Sequence, residues 1–162
     1  MQKVTIRKAT AADARALCIL GNEFLKHLEN TSPLLALESL RVDARSIASW
    51  RSGIVKPPKN FFTFVAEVNG VVVGYMELMI KDNVPTKFFK VKKFGWMEAM
   101  VVAKEYRSKG IGSKMYDYGL RFFRARKIKY VRGSVFLKNT TALSFWKNRG
   151  FVEESVEMYK RL

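Results

Sequence analysis

Cysteine and histidine occur once each in the chain, as Cys18 and His27. A lone cysteine cannot close a disulfide within the chain, and the two residues together fall well short of a metal-ligand set, so neither a disulfide scaffold nor a metal site is expected. Both read as packing or surface residues. Proline is scarce too, and its doublet at Pro57-Pro58 reads as a break. No stretch approaches the roughly 20 apolar residues of a membrane span, and the opening MQKVTIRKATAAD lacks the apolar centre of a secretory signal. A cytoplasmic protein without membrane contact is expected. Residues 1–162 are 48% hydrophobic and show no repeat, low-complexity tract or linker, which suits one α/β domain.

Acidic side chains are the other shortage. The 14 Asp and Glu face 30 Lys and Arg, a net charge of +16 that favours anionic partners: nucleic acid, acidic membrane or a phosphorylated cofactor. Residues 81 to 132 hold 15 of the basic and 4 of the acidic side chains, so +11 of the charge lies there.

Patterning sets the order of elements. Alternating KVTIRKA (3 to 9) predicts a strand, and Thr10 with Asp13 starts a helix over 11 to 29 whose apolar face is Leu17, Leu20, Phe24 and Leu28. A second helical region covers 34 to 52 and ends near Gly53. FFTFVAEV and VVVGYMELMI, joined by Asn69-Gly70, predict an antiparallel hairpin, because Asn-Gly accepts the positive φ of a tight turn. Residues 81 to 95 read as a loop or hairpin extension, and WMEAMVVA (96 to 103) as the next strand. A helix over about 110 to 127 has Ile111, Met115, Gly119 and Phe122 on one face, with Gly119 allowing close packing. KYVRGSVF (129 to 136) is a strand, NTTALSFWKNRG (139 to 150) a helix capped by Asn139 and stopped by Gly150, and FVEESVEMYKRL a terminal strand pair.

EYRSKGIGSKMY, at 105 to 116, places two glycines where a strand hands over to a helix. Such a turn exposes backbone N–H groups at a helix N-terminus, where phosphate can approach, while Arg107, Lys109 and Lys114 add charge.

The longer stretch VVAKEYRSKGIGSKM resembles the acetyl-CoA motif of the GNAT superfamily of N-acyltransferases, and NTTALSFWKNRGF downstream resembles its second cofactor motif. The resemblance implies a GNAT-like α/β fold with a mixed, twisted sheet of six to seven strands, splayed between WMEAMVVA and KYVRGSVF. It implies acetyl-CoA in that opening, its pantetheine bonded to backbone near Met100, Val101 and Val102. The pyrophosphate would meet backbone N–H groups of Arg107, Ser108, Lys109, Gly110, Ile111 and Gly112, helped by Ser113, and Asn139 would reach the pantetheine. The Met100 N–H becomes the expected donor to the thioester oxygen.

Lys104 and Ser108 depart from the family's usual proline and glycine. Trp146 stands where some members carry a tyrosine that protonates the leaving thiolate, and an indole N–H is too weak an acid for that. Tyr75, Tyr116, Tyr118 and Tyr159 are the candidate substitutes. Glu98 is the one carboxylate in its apolar strand, placed by alternation on the face of Met100 and Val102, and acidic there in the polyamine acetyltransferase branch. An ammonium cannot attack until it loses a proton, so Glu98 is the expected proton carrier; the structural alternative is a pair with a nearby lysine.

Two classes of function follow. One is an enzyme transferring acetyl from acetyl-CoA to a primary amine by direct attack in a ternary complex, with a homodimer frequent in this family. The other is a basic GNAT-like module that holds RNA or an acidic partner, for which KFFKVKKF interleaves cations and aromatics. The positive charge argues against polyamine acceptors unless Glu38, Asp43, Glu77 and Glu98 cluster.

Overall fold

A computed structural model describes residues 3–29, 31–32, 41–84, 87 and 90–160. Its sheet follows chain order, β1 (Val4–Lys8), β2 (Phe61–Val68), β3 (Val71–Asp82), β4 (Lys93–Val102) and β5 (Val131–Gly133). Neighbours from β1 to β4 are antiparallel, and β4–β5 is parallel. The hairpin turns at Asn69 (φ 52°) and Gly70 (φ 81°), the paired positive φ that its two residues suit.

Helices α1 (Ala14–Leu28) and α2 (Ala44–Val55) cover one face of the sheet, and α3 (Ile111–Ala125) covers the other. The short α4 (Thr140–Lys147) packs beside the first turn of α3. Thr10 and Asp13 form the expected capping box, and the Asp13 carboxylate also takes both terminal nitrogens of Arg7, at 2.8 and 2.9 Å. Asp43 caps α2 by accepting the Ser46 N–H, so this helix starts later than the pattern over 34 to 52 suggests; residues 33–40 lie outside the described residues. A Cβ at Gly119 would lie 3.2 Å from the Met76 sulfur, which is the close packing of α3 on the sheet that a glycine there allows.

The described sheet has five strands, not six to seven. Only Val131–Gly133 of KYVRGSVF pairs, and 151–160 forms no regular strand. Alternation alone does not build a strand when neither face is buried: Val152, Val156 and Met158 are 87%, 67% and 87% exposed. Ion pairs Lys147–Glu153 and Arg132–Glu154 tether the segment instead.

Among the described residues, no helix is long and apolar enough to cross a membrane, and no group of His, Cys, Asp and Glu is arranged to hold a metal ion. Cys18 is fully buried and donates its thiol toward the Arg41 carbonyl.

Candidate active site

The sheet opens where expected. β4 pairs with β5 only over Gly95–Met97, yet stays paired with β3 as far as Val102. A bulge decides what faces the gap. Leu78 pairs with Met97 and Glu77 with Ala99, which leaves Glu98 as the extra residue on β4. Before the bulge, Gly95 turns its N–H to the β5 side and bonds the Tyr130 carbonyl. After it, Ala103 turns its N–H to β3 and bonds the Val73 carbonyl. Two-residue alternation from Ala103 then directs Val101 to β3 and the backbone groups of Met100 and Val102 into the gap. In agreement, the Val102 carbonyl accepts the Arg107 Nε–H at 2.9 Å.

The same bulge overturns the face expected for Glu98. Met97, Met100 and Val102 pack on the α3 side, whereas Ala99 and Val101 pack on the α1–α2 side with Leu17, Leu20 and Tyr75. The change of parity is absorbed at Glu98, so it does not share the face of Met100 and Val102. Its carboxylate accepts the Trp96 Nε1–H at 2.7 Å and lies 3.8 Å from the Lys81 ammonium, which sits over the Trp96 ring. The pair with a neighbouring lysine is therefore present, and the side chain is still 46% exposed.

Glu98 also acts on a second carboxylate, that of Glu77. Glu77 on β3 faces Ala99, and burial, reinforced by the Glu98 charge, pushes its carboxyl up to about 7. Its partner on β2 is the buried Thr63. A recess of about 260 Å³ opens here between α2 and the sheet, with Trp50, Ile54, Phe61 and Glu77 in its lining. The signal available in sequence was a lone carboxylate within the apolar run VVVGYMELMI, but its closeness to Glu98 depends on strand register.

At the end of β4, Ser108 (φ 60°) and Gly110 (φ 77°) bend the chain into α3 through left-handed conformations. Ser108 thus keeps the conformation suited to the glycine it replaces. Lys114 closes the first helical turn on the Gly110 carbonyl, so the N–H groups of Ile111, Gly112 and Ser113 precede any helical acceptor. A Cβ on Gly110 would meet nothing within 4 Å, so the space beside its α carbon is open. The Lys109 ammonium rests 5.1 Å from the Tyr106 ring centroid.

Some of the predicted site residues have partners within the fold. The Arg107 N–H bonds the Lys104 carbonyl, and its guanidinium pairs with Glu23 of α1 at 3.1 Å. Asn139 caps α4 through the Ala142 N–H. Trp146 packs among Tyr116, Phe145 and Phe151. Of the tyrosines, Tyr75 is buried on the α1–α2 side with its hydroxyl pushed well above the usual range by burial and by Glu77, and Tyr116 directs its hydroxyl to the Arg149 carbonyl. Arg149 was not foreseen as a site residue. It stacks 3.5 Å over Phe145 and donates to the Ser113 hydroxyl at 2.6 Å, bringing a cation to the first turn of α3.

Residues 23–151, which span this sheet and turn from β2 onward, match the acetyltransferase (GNAT) family. The chain belongs to that family. It is accordingly an acyl-CoA-dependent N-acetyltransferase. It is similar to a phosphinothricin N-acetyltransferase of Streptomyces viridochromogenes, 26% identical over 148 residues that cover 91% of this chain and 74% of the relative. In fold it is similar to a possible acetyltransferase of Clostridium difficile, with TM-score 0.74, 19% identity and 98% and 97% of the two chains covered. It is also similar to an aminoglycoside N-acetyltransferase solved in complex with CoA, with TM-score 0.72, 17% identity and 99% and 96% covered.

Proposed function

We propose that this protein transfers acetyl from acetyl-CoA to a primary amine, the amine attacking the thioester directly while both substrates are bound. The observation that carries this reading is the opening in the sheet, because the bulge at Glu98 directs the Met100 N–H into it. In this assignment the pyrophosphate sits at the turn and first helical turn, residues 108 to 113, with Arg107 contributing charge shared with Glu23. Met100, Val101 and Val102 line the pantetheine path, and Asn139 and Trp146 border it from α4. The Met100 N–H stabilises negative charge on the thioester oxygen as the amine nitrogen bonds to the acyl carbon and the carbon–sulfur bond breaks. Glu98 draws the ammonium form of the acceptor and relays its proton. With Trp146 at the usual tyrosine position, the departing thiolate takes its proton from the attacking nitrogen or from water. The relatives support N-acetylation, since phosphinothricin and aminoglycoside N-acetyltransferases are both named for it.

Release of free thiol from acetyl-CoA, measured against a panel of primary amines, tests the assignment. Amine-dependent release at a rate well above hydrolysis is expected; none with any amine, despite CoA binding, would sink it.

One observation favours a second reading, nucleic-acid binding. A groove of about 440 Å³ on the α3 side is lined by Lys8, Arg121 and Arg126 with Phe62, Tyr118 and Phe122. Arg126 stacks 3.6 Å over Phe122, and these three cations have no ion-pair partner among the described residues. Salt-sensitive RNA binding that Arg121→Glu abolishes would support it.

A further inference from the structure

We propose that the recess between α2 and the sheet seats the body of the acceptor and that Glu77 receives the proton its ammonium loses, which makes the acceptor a small primary amine carried on an aryl or branched alkyl group. This rests on the acetyl-transfer reading and names the substrate class of the same site.

The lining states the chemistry. Trp50, Ile54, Pro58 and Phe61 supply apolar surface, Ser49 and Thr63 supply hydroxyls, and Glu77 is the one ionisable group among the lining residues. An apolar cavity of about 150 Å³ accepts benzene, so a recess of about 260 Å³ admits a ring with a short linker. One carboxylate matches one ammonium. A polyamine would leave its other charges against aromatic walls, in a protein of net charge +16.

Position favours Glu77 as the receiver. It pairs across the sheet with Ala99, between bulged Glu98 and Met100, so its backbone lies about one strand spacing, roughly 4.8 Å, from the β4 backbone, whose far side presents the Met100 N–H. The ionisable groups around it are Glu98 on β4, which is paired with Lys81, and Tyr75 on its own strand; α2 and β2 present Ser49, Trp50, Ile54, Phe61 and Thr63, none of them titratable. Burial and Glu98 raise Glu77 to about 7, a value suited to accepting a proton near neutrality.

The proton balance closes. The ammonium gives one proton to the Glu77 carboxylate, directly or through Glu98, and the freed nitrogen pair forms the carbon–nitrogen bond. The carbon–sulfur pair leaves with sulfur, the second nitrogen proton goes to that thiolate, and Glu77 returns its proton to water.

Binding of 2-phenylethylammonium, measured by calorimetry without acyl-CoA, tests the site separately from acetyl transfer. A carboxyl at about 7 is mostly protonated at about pH 6 and mostly ionised at about pH 8, so wild-type affinity should rise about tenfold between them. Glu77→Gln should bind weakly with no such rise. Glu98→Gln should keep the rise but move it to lower pH, because the neighbouring charge is gone. Ser49→Trp, an exposed position at the recess, should block the probe without disturbing the core. An unchanged rise in Glu77→Gln, or no probe binding by the wild type, would overturn the proposal. Failure of acetyl transfer to every amine, with this binding pattern intact, would instead count against the reading on which it rests.

Discussion

The guanidinium of Arg149 donates to the Ser113 hydroxyl at 2.6 Å, joining the end of α4 to the first turn of α3. It also bonds the Phe145 carbonyl and stacks on that ring, so the two helices enclosing the proposed phosphate end are tied by one side chain. Lysine in its place keeps the charge but loses the planar fork and most of the stacking. Arg149→Lys should lower stability by about 1–2 kcal/mol and weaken CoA several-fold, read by denaturant unfolding and calorimetry. If neither changes, the tie is incidental.

Gly110 adopts φ 77° with open space beyond its α carbon. Gly110→Ala adds only the strain of that conformation, about 1 kcal/mol, and should reduce CoA affinity modestly. Gly110→Asp adds negative charge where the anion is assigned and should reduce it far more. Equal affinities for the two variants would remove the pyrophosphate from this turn.

Glu98→Gln should lower turnover roughly tenfold or more at neutral pH, with CoA affinity nearly intact, because an amide neither accepts the ammonium proton nor raises Glu77. Trp146→Phe should cost much less, since the indole supplies packing and no acid. A rise in the Michaelis constant with turnover preserved would reduce Glu98 to an anchor for the cation. A Trp146→Phe loss as large as that of Glu98→Gln would show that the indole takes part in the chemistry.

Asp13 is 6% exposed, and its carboxyl is held down at about 2, chiefly by the hydrogen-bonded Arg7 guanidinium and also by Thr10, against the opposing effect of burial. The folded value lies below the unfolded value of about 3.9, so the stabilisation is present above about pH 4 and is lost as pH falls toward about 2. Asp13→Asn should therefore cost about 2 kcal/mol near neutrality, and the gap to wild type should narrow on acidification. A gap independent of pH, in urea unfolding across that range, would refute the linkage.

Local chemistry alone determined much of this protein. The Asn69-Gly70 turn, the Thr10–Asp13 box, the Asn139 cap and the left-handed turn at Gly110 each depend on residues within a few positions of one another. The family motifs are likewise contiguous, so the splay between β4 and β5 could be anticipated. The extent of β5 and the fate of 151–160 could not, because a strand needs a partner and a buried face, and neither is encoded in its own alternation. The bulge is the sharpest case. One extra residue at Glu98 changed which backbone groups face the gap, parted Glu98 from the face of Met100, and gave Glu77 a charged neighbour across the sheet. Register is a contest between whole strands for buried area and hydrogen bonds, so only the assembled sheet could decide it.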